Sequence, residues 1–145
     1  WTLGFSYKSK QHFSDLEYNL REGDIDTTLV RGPVFPGGQY TLELDFPQKA
    51  ALGLAWHAAD TFTLSADLKW IEWSDTMGDL SVEGPDGYDF AMDPGWDDQV
   101  VYALGADWQV MEQMSQRFGF NYAESPIDGQ NAANNLILPG VVEDH

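Results

Sequence analysis

Residues 62–73 read FTLSADLKWIEW, and the fold is decided there. Taken by twos, Phe62, Leu64, Ala66, Leu68 and Trp70 share one face, and Thr63, Ser65, Asp67 and Lys69 share the other. Side chains alternate across a strand, so the pattern predicts a strand with one oily side and one wet side. Helical spacing fails, because Asp67 and Lys69 would lie roughly 200° apart and interrupt any apolar stripe. The stretch is about twice as long as the usual globular strand of about 5–6 residues. It matches the roughly 9–11 residues that a tilted strand needs to cross a bilayer.

The same alternation recurs along the chain. It predicts strands over residues 1–8, continuing less regularly through 11–20, then over 40–46, 48–57, 99–110 and 115–124. Pro47 lacks an amide hydrogen and marks a bulge or the end of strong pairing. Residues 58–61 and 111–114 read as tight turns. Residues 21–39, 74–96 and 125–145 read as long loops rich in Gly, Pro or Asp, without period. Short turns at one end and long loops at the other is the wiring of outer-membrane barrels. Trp56 and Trp108 fall on the oily face beside the short turns, and Trp70 falls near the other end of its strand. With Tyr122 they are the expected membrane-interface aromatics.

Composition narrows the function. The formal net charge is −17 over 145 residues, which argues against nucleic acid, whose binding depends on Lys and Arg. There is no Cys, so disulfides, thiolate metal sites and Cys nucleophiles are excluded. No run of eighteen apolar residues exists, so no transmembrane helix is predicted. A mean hydropathy of −0.37 is compatible with a barrel, since half of each barrel strand faces a polar lumen. The chain opens directly on a strand pattern, as an internal segment or an exported protein without its leader would.

Alternating strands also build soluble sandwiches and small barrels with the oily face inward. In that alternative the protein is a binding module for an apolar ligand or a sugar, and its charged face is simply solvated.

Four separated blocks carry a family resemblance: DFPQKAALGLAWHAADTFTLSADLKWIEWS, WDDQVVYALGADWQV, FGFNYAESPID and NNLILPGVVEDH. In order and spacing they resemble the outer-membrane transporters of the FadL/TodX type, which carry long-chain fatty acids and aromatic hydrocarbons. The resemblance implies an all-β, antiparallel up-and-down transmembrane β-barrel plugged by an N-terminal hatch, with short periplasmic turns and long extracellular loops. Residues 1–145 would supply a partial segment of about five strands, without the hatch, the first half or the last strands. It further implies passive transport of hydrophobic small molecules across the bacterial outer membrane, by a barrel that is monomeric and in contact with lipid and lipopolysaccharide. No cofactor and no enzyme activity are implied.

In that frame Asp67, Lys69, Asp107, Arg117 and Asn121 are candidate lumen-lining residues. Lys69 or Arg117 could attract a fatty-acid carboxylate; the plainer reading, and the favoured one, is a salt-bridged network bracing the wall. Gly53, Ala55, Gly105 and Gly119 keep the same face low, for a ligand, for the hatch or for packing. The acidic loop of residues 72–98 could hold Ca²⁺, but its DGYD run lacks the rest of a calcium-loop pattern, so a solvated loop is favoured. His12, His57 and His145 are scattered without ligand spacing, and none is read as metal-binding or catalytic. Asp97 and Asp98 are adjacent, hence on opposite faces of a strand, and Ser125 has no nucleophile-elbow context.

Overall fold

The computed structural model describes residues 1–21, 35–127 and 129. Among these, two antiparallel sheets account for nearly all regular structure. The larger is built from β1 (Thr2–Lys8), β4 (Lys49–Ala59), β5 (Phe62–Ile71), β8 (Gln99–Met111) and β9 (Met114–Ala123). Their order in space is β1-β4-β5-β8-β9, so strands adjacent in this list pair with one another up and down. Strands β4, β5, β8 and β9 are 11, 10, 13 and 10 residues long, enough to cross an apolar bilayer at a tilt.

The register keeps the alternation in phase across the sheet. Phe5, Leu52, Leu68, Tyr102 and Tyr122 form one row, and Leu3, Leu54, Ala66, Leu104 and Phe120 the next. A one-residue slip in any pair would turn that strand's apolar set to the wet side, so the pattern itself fixes the register. The two short connections are two-residue turns, closed by the Ala59–Phe62 and Met111–Met114 pairs. Each is preceded by a one-residue irregularity, after His57 and after Gln109. Such bulges add local twist where the chain reverses.

The smaller sheet is where the structure departs from the expectation. It comprises β2 (Leu16–Leu20), β3 (Gly38–Leu42), β6 (Leu80–Glu83) and β7 (Phe90–Met92), in that spatial order. The segments 11–20 and 40–46, predicted as continuations of the wall, shrink to β2 and β3 and pair with each other instead. The loop 74–96, predicted without period, contains a short helix α1 (Ser74–Met77), then β6, a 3-10 turn over Pro85–Gly87, and β7. The reason is visible in the burial: Leu80 and Val82 alternate with the exposed Ser81 and Glu83. That alternation is too short to stand out from a Gly- and Asp-rich surround. The core of this sheet is Leu20, Tyr40 and Val82, with Phe35, Leu42, Tyr88, Phe90 and Met92 packed against it. Most of the predicted loop 21–39, at residues 22–34, and of the stretch 125–145, including His145, lies outside the described residues.

The two sheets do not form a sandwich: their strands make no extensive contact. The small sheet stands at the long-loop end, joined to the wall through the segments that leave and enter it.

Candidate functional site

The oily face of the wall is bare. Leu3, Phe5, Leu104, Phe118 and Phe120 are 59–73% exposed, and Leu52, Leu54, Leu64 and Leu68 remain 37–48% exposed. A soluble protein seldom leaves so large a contiguous apolar surface uncovered. In a membrane the same surface needs no cover, because lipid tails are its solvent. Aromatic rings mark both ends of this face. Near the short turns Trp1 stacks on Trp56, with centroids 5.5 Å apart and planes 14° from parallel. Trp108 lies opposite Phe62 in the next row toward the turns. At the long-loop end the Trp70 indole N–H donates to Asp98 Oδ2 at 3.2 Å. Tyr122 faces Tyr102 across the β8–β9 pair. Trp56, Trp70, Trp108 and Tyr122 therefore all lie on the oily face, the first and third beside the turns and the second at the opposite end.

The wet face carries the five polar positions singled out above. Asp67 and Asn121 fall in one cross-strand row with Gly4, Gly53 and Ala103, and Lys69 in the neighbouring row. Arg117 and Asp107 are directly opposite, and Arg117 Nε donates to Asp107 Oδ2 at 2.6 Å. This is one ion pair between neighbouring wall strands. Among the described residues Asp67 and Lys69 join no ion pair. The small residues on this face acquire a specific reason at two positions. A Cβ on Gly53 would collide with Asp67 Oδ1, and one on Gly105 would come within 2.5 Å of Ser65 Oγ. Both glycines make room for a neighbour's polar side chain leaning across them. Gly119 is in open space save one carbonyl, so no such reason applies there. His57 sits nearer the turns, with Thr63 Oγ1 at 3.0 Å from Nδ1 and Thr2 Oγ1 at 3.2 Å from Nε2.

Where the loops leave the wall, polar contacts lock them down. Tyr7 donates to Gln48 Oε1 at 2.6 Å, and Gln48 in turn donates to Glu72. Asp98 accepts from the Ser74 amide at 3.2 Å and from its hydroxyl at 2.6 Å. Trp73 and Trp96 meet edge-to-face at 5.1 Å. A two-sided bridge between Gln11 and Phe46 brings residues 10–13 against 43–46. There Asp45, 8% exposed, accepts from the Phe13 amide at 3.2 Å and lies beside His12 and Lys10. Burial pushes the Asp45 carboxyl up, but the Phe13 amide and the two neighbouring bases outweigh it and hold it below the usual carboxylate value. Lys10, 3.0 Å from Asp75, is held above its ordinary value, chiefly by the hydrogen bond it donates to that carboxylate.

The sequence reading missed the apolar groove on the small sheet. It has a volume of about 570 Å³, and Leu16, Tyr18, Leu42, Phe90 and Met92 are among its lining residues. The volume and apolar lining are those of small-molecule sites. The alternation of Leu16, Tyr18 and Leu20 was the available signal, but it was assigned to the wall.

A bare apolar belt with aromatic ends, a polar opposite face, short turns at one end and elaborate loops at the other define an outer-membrane β-barrel wall. The chain belongs to the outer membrane protein transport protein family (OMPP1/FadL/TodX), whose model matches residues 1–139. It is an outer-membrane protein. A Pseudomonas aeruginosa FadL homologue shares the fold with a TM-score of 0.69 and 26% identity, over 87% of this chain and 31% of its own. The Ralstonia pickettii toluene transporter TbuX matches with a TM-score of 0.60 and 25% identity, over 83% of this chain and 31% of its own. CymD, a monoaromatic hydrocarbon channel, matches with a TM-score of 0.56 and 26% identity, over 83% of this chain and 33% of its own. The chain therefore spans about a third of the length of these structures. No curated protein matches it.

Proposed function

We propose that the barrel containing this wall passes hydrophobic molecules, long-chain fatty acids or monoaromatic hydrocarbons, inward across the outer membrane by diffusion. The observation that carries this reading is the apolar groove on the loop sheet at the mouth of a wall whose opposite face is polar. An oily solute leaves water in the groove and then travels along the wet face, shielded from lipopolysaccharide. On this reading Asp67, Lys69, Asp107, Arg117 and Asn121 line the lumen, and Trp56, Trp70, Trp108 and Tyr122 sit at the two interfaces. Strands β1 and β9 pair with further wall strands, because unpaired backbone in hydrocarbon costs several kcal/mol per group. Residues 1–145 form one partial barrel domain, and the closed barrel acts as a monomer in contact with lipid and lipopolysaccharide. Neither cofactor nor chemical step is required, so the protein is a channel and not an enzyme. The soluble-sandwich alternative conflicts with the bare oily face and with the family.

The test is uptake. The full-length protein is expressed in a bacterial host lacking its own fatty-acid and hydrocarbon transporters, and entry of labelled oleate and labelled toluene is followed. Uptake of either above the vector control is expected. A correctly assembled barrel that admits neither would overturn the proposal.

A further inference from the structure

The junction between β1 and the loop sheet holds a cluster that the transport reading does not use. His12 Nδ1, a Glu43 oxygen and an Asp45 oxygen all lie within 4.8 Å of one another, the only such trio of potential ligands among the described residues. We propose that His12, Glu43 and Asp45 form a binding site for a borderline divalent cation of the zinc class.

Two observations support it beyond the cluster itself. The first is the state of Asp45 Oδ2. Its side chain is 5% exposed, and this oxygen is sealed from solvent with no well-aligned hydrogen-bond donor. Its nearest neighbour is His12 Nδ1 at 2.6 Å. When the imidazole is neutral with its proton on Nε2, two lone pairs face each other there, and either a proton on Nδ1 or a metal ion between them relieves the contact. The ion's bonds of about 2.0–2.2 Å to nitrogen and oxygen need His12 to swing outward slightly. That ring is 71% exposed and free to do so.

The second is the charge of the space beside the trio. A cavity of about 190 Å³ is lined by Glu43, Asp45, Asp75 and Asp79, and among the described residues lining it Lys10 is the single cation. Lys10 Nζ is 3.0 Å from Asp75 and 3.6 Å from Asp45, so its charge is drawn toward Asp75 and leaves Glu43 and Asp79 uncompensated. One imidazole with two carboxylates suits zinc or its neighbours better than Ca²⁺ or Mg²⁺, which prefer all-oxygen shells. The remaining coordination positions face the cavity and would take water. Because His12 comes from the exit of β1 and the two acids from the entry to β4, the ion would clamp those two segments together.

The probe is Zn²⁺ itself, added to the full-length, chelator-stripped barrel in detergent. A saturable rise in the unfolding temperature is expected, absent with Mg²⁺ at equal concentration. Co²⁺ in place of Zn²⁺ should give visible absorption bands from imidazole coordination. Both signals should vanish in His12→Ala and in Glu43→Gln, whose side chains are exposed, so that the barrel keeps its heat-modifiable mobility. No zinc-dependent shift in the wild type would overturn the site. So would a shift that persists unchanged in the two variants.

Discussion

At the residue scale the oily and wet faces make opposite demands. Leu68 lies on the oily face, between Leu52 and Tyr102. Leu68→Arg puts a charge into the apolar belt, where the cost rises toward about 2–4 kcal/mol at the midplane, and is expected to block assembly. The readout is loss of the shift between unheated and boiled samples on a detergent gel. Arg117 and Asp107 form a partly exposed pair, with side chains 80% and 45% exposed. A double-mutant cycle on Arg117→Ala and Asp107→Asn should give a coupling of about 0.2–1 kcal/mol, measured by urea titration of the refolded barrel. A much larger coupling would mean the pair is enclosed in the closed barrel. Asp45 and Lys10 set a pH window for the loop junction. Asp45 is held below its ordinary value of 3.8, so its contribution is complete above that pH and lost as the pH falls through the lower folded value. Lys10 is held above 10.5, so its contribution is complete below that pH and lost as the pH rises through the higher folded value. Protection of the Phe13 amide from hydrogen exchange, corrected for intrinsic rate, should therefore drop at both extremes; constant protection down to about pH 2 would contradict the assignment.

At the element scale, legibility in the sequence followed strand length. Strands β4, β5, β8 and β9 were readable to within two residues because each repeats its alternation over at least ten positions. Strands β6 and β7 were not, since four and three residues carry too few repeats to separate a strand from a loop. Strands β2 and β3 were detected as strands but given the wrong neighbours, because alternation reports a face and says nothing of which sheet the strand joins. The wet-face polar residues were found by the same alternation. The His12–Glu43–Asp45 trio could not be, since the Gln11–Phe46 bridge that assembles it joins segments distant in sequence. The loop sheet also supplies a test of its own. Val82 is 7% exposed in its core, and Val82→Asp would bury an unpaired carboxylate there. The expected result is a barrel that still shifts on boiling but has lost most of its uptake, along with protection of its loops from protease. Unchanged uptake would remove the groove from the transport route.

At the scale of the whole molecule, the wall and the loop sheet are two bodies with different solvents. The wall relies on lipid to accept its apolar belt, and the loop sheet makes a small water-facing core of its own. The rim contacts through Gln48, Glu72 and Asp98 pin the chain where it leaves and enters the wall.

The small sheet is stitched from two separate excursions of the chain: β2 and β3 come from one, β6 and β7 from the other, and among the described residues the strand pairing across the seam is Thr41–Glu83 and Leu42–Val82, backed by Phe35 against Tyr88 and Phe90. Two loops that share one sheet must be inherited together. A chimera that takes one excursion from a relative brings half a fabric with foreign edges, and its seam has these few contacts in which to find a match. Exchange of both excursions at once preserves the seam whatever their sequences. The loop sheet can therefore pass between members of the family as a paired cassette, while the strands beneath it stay as they are.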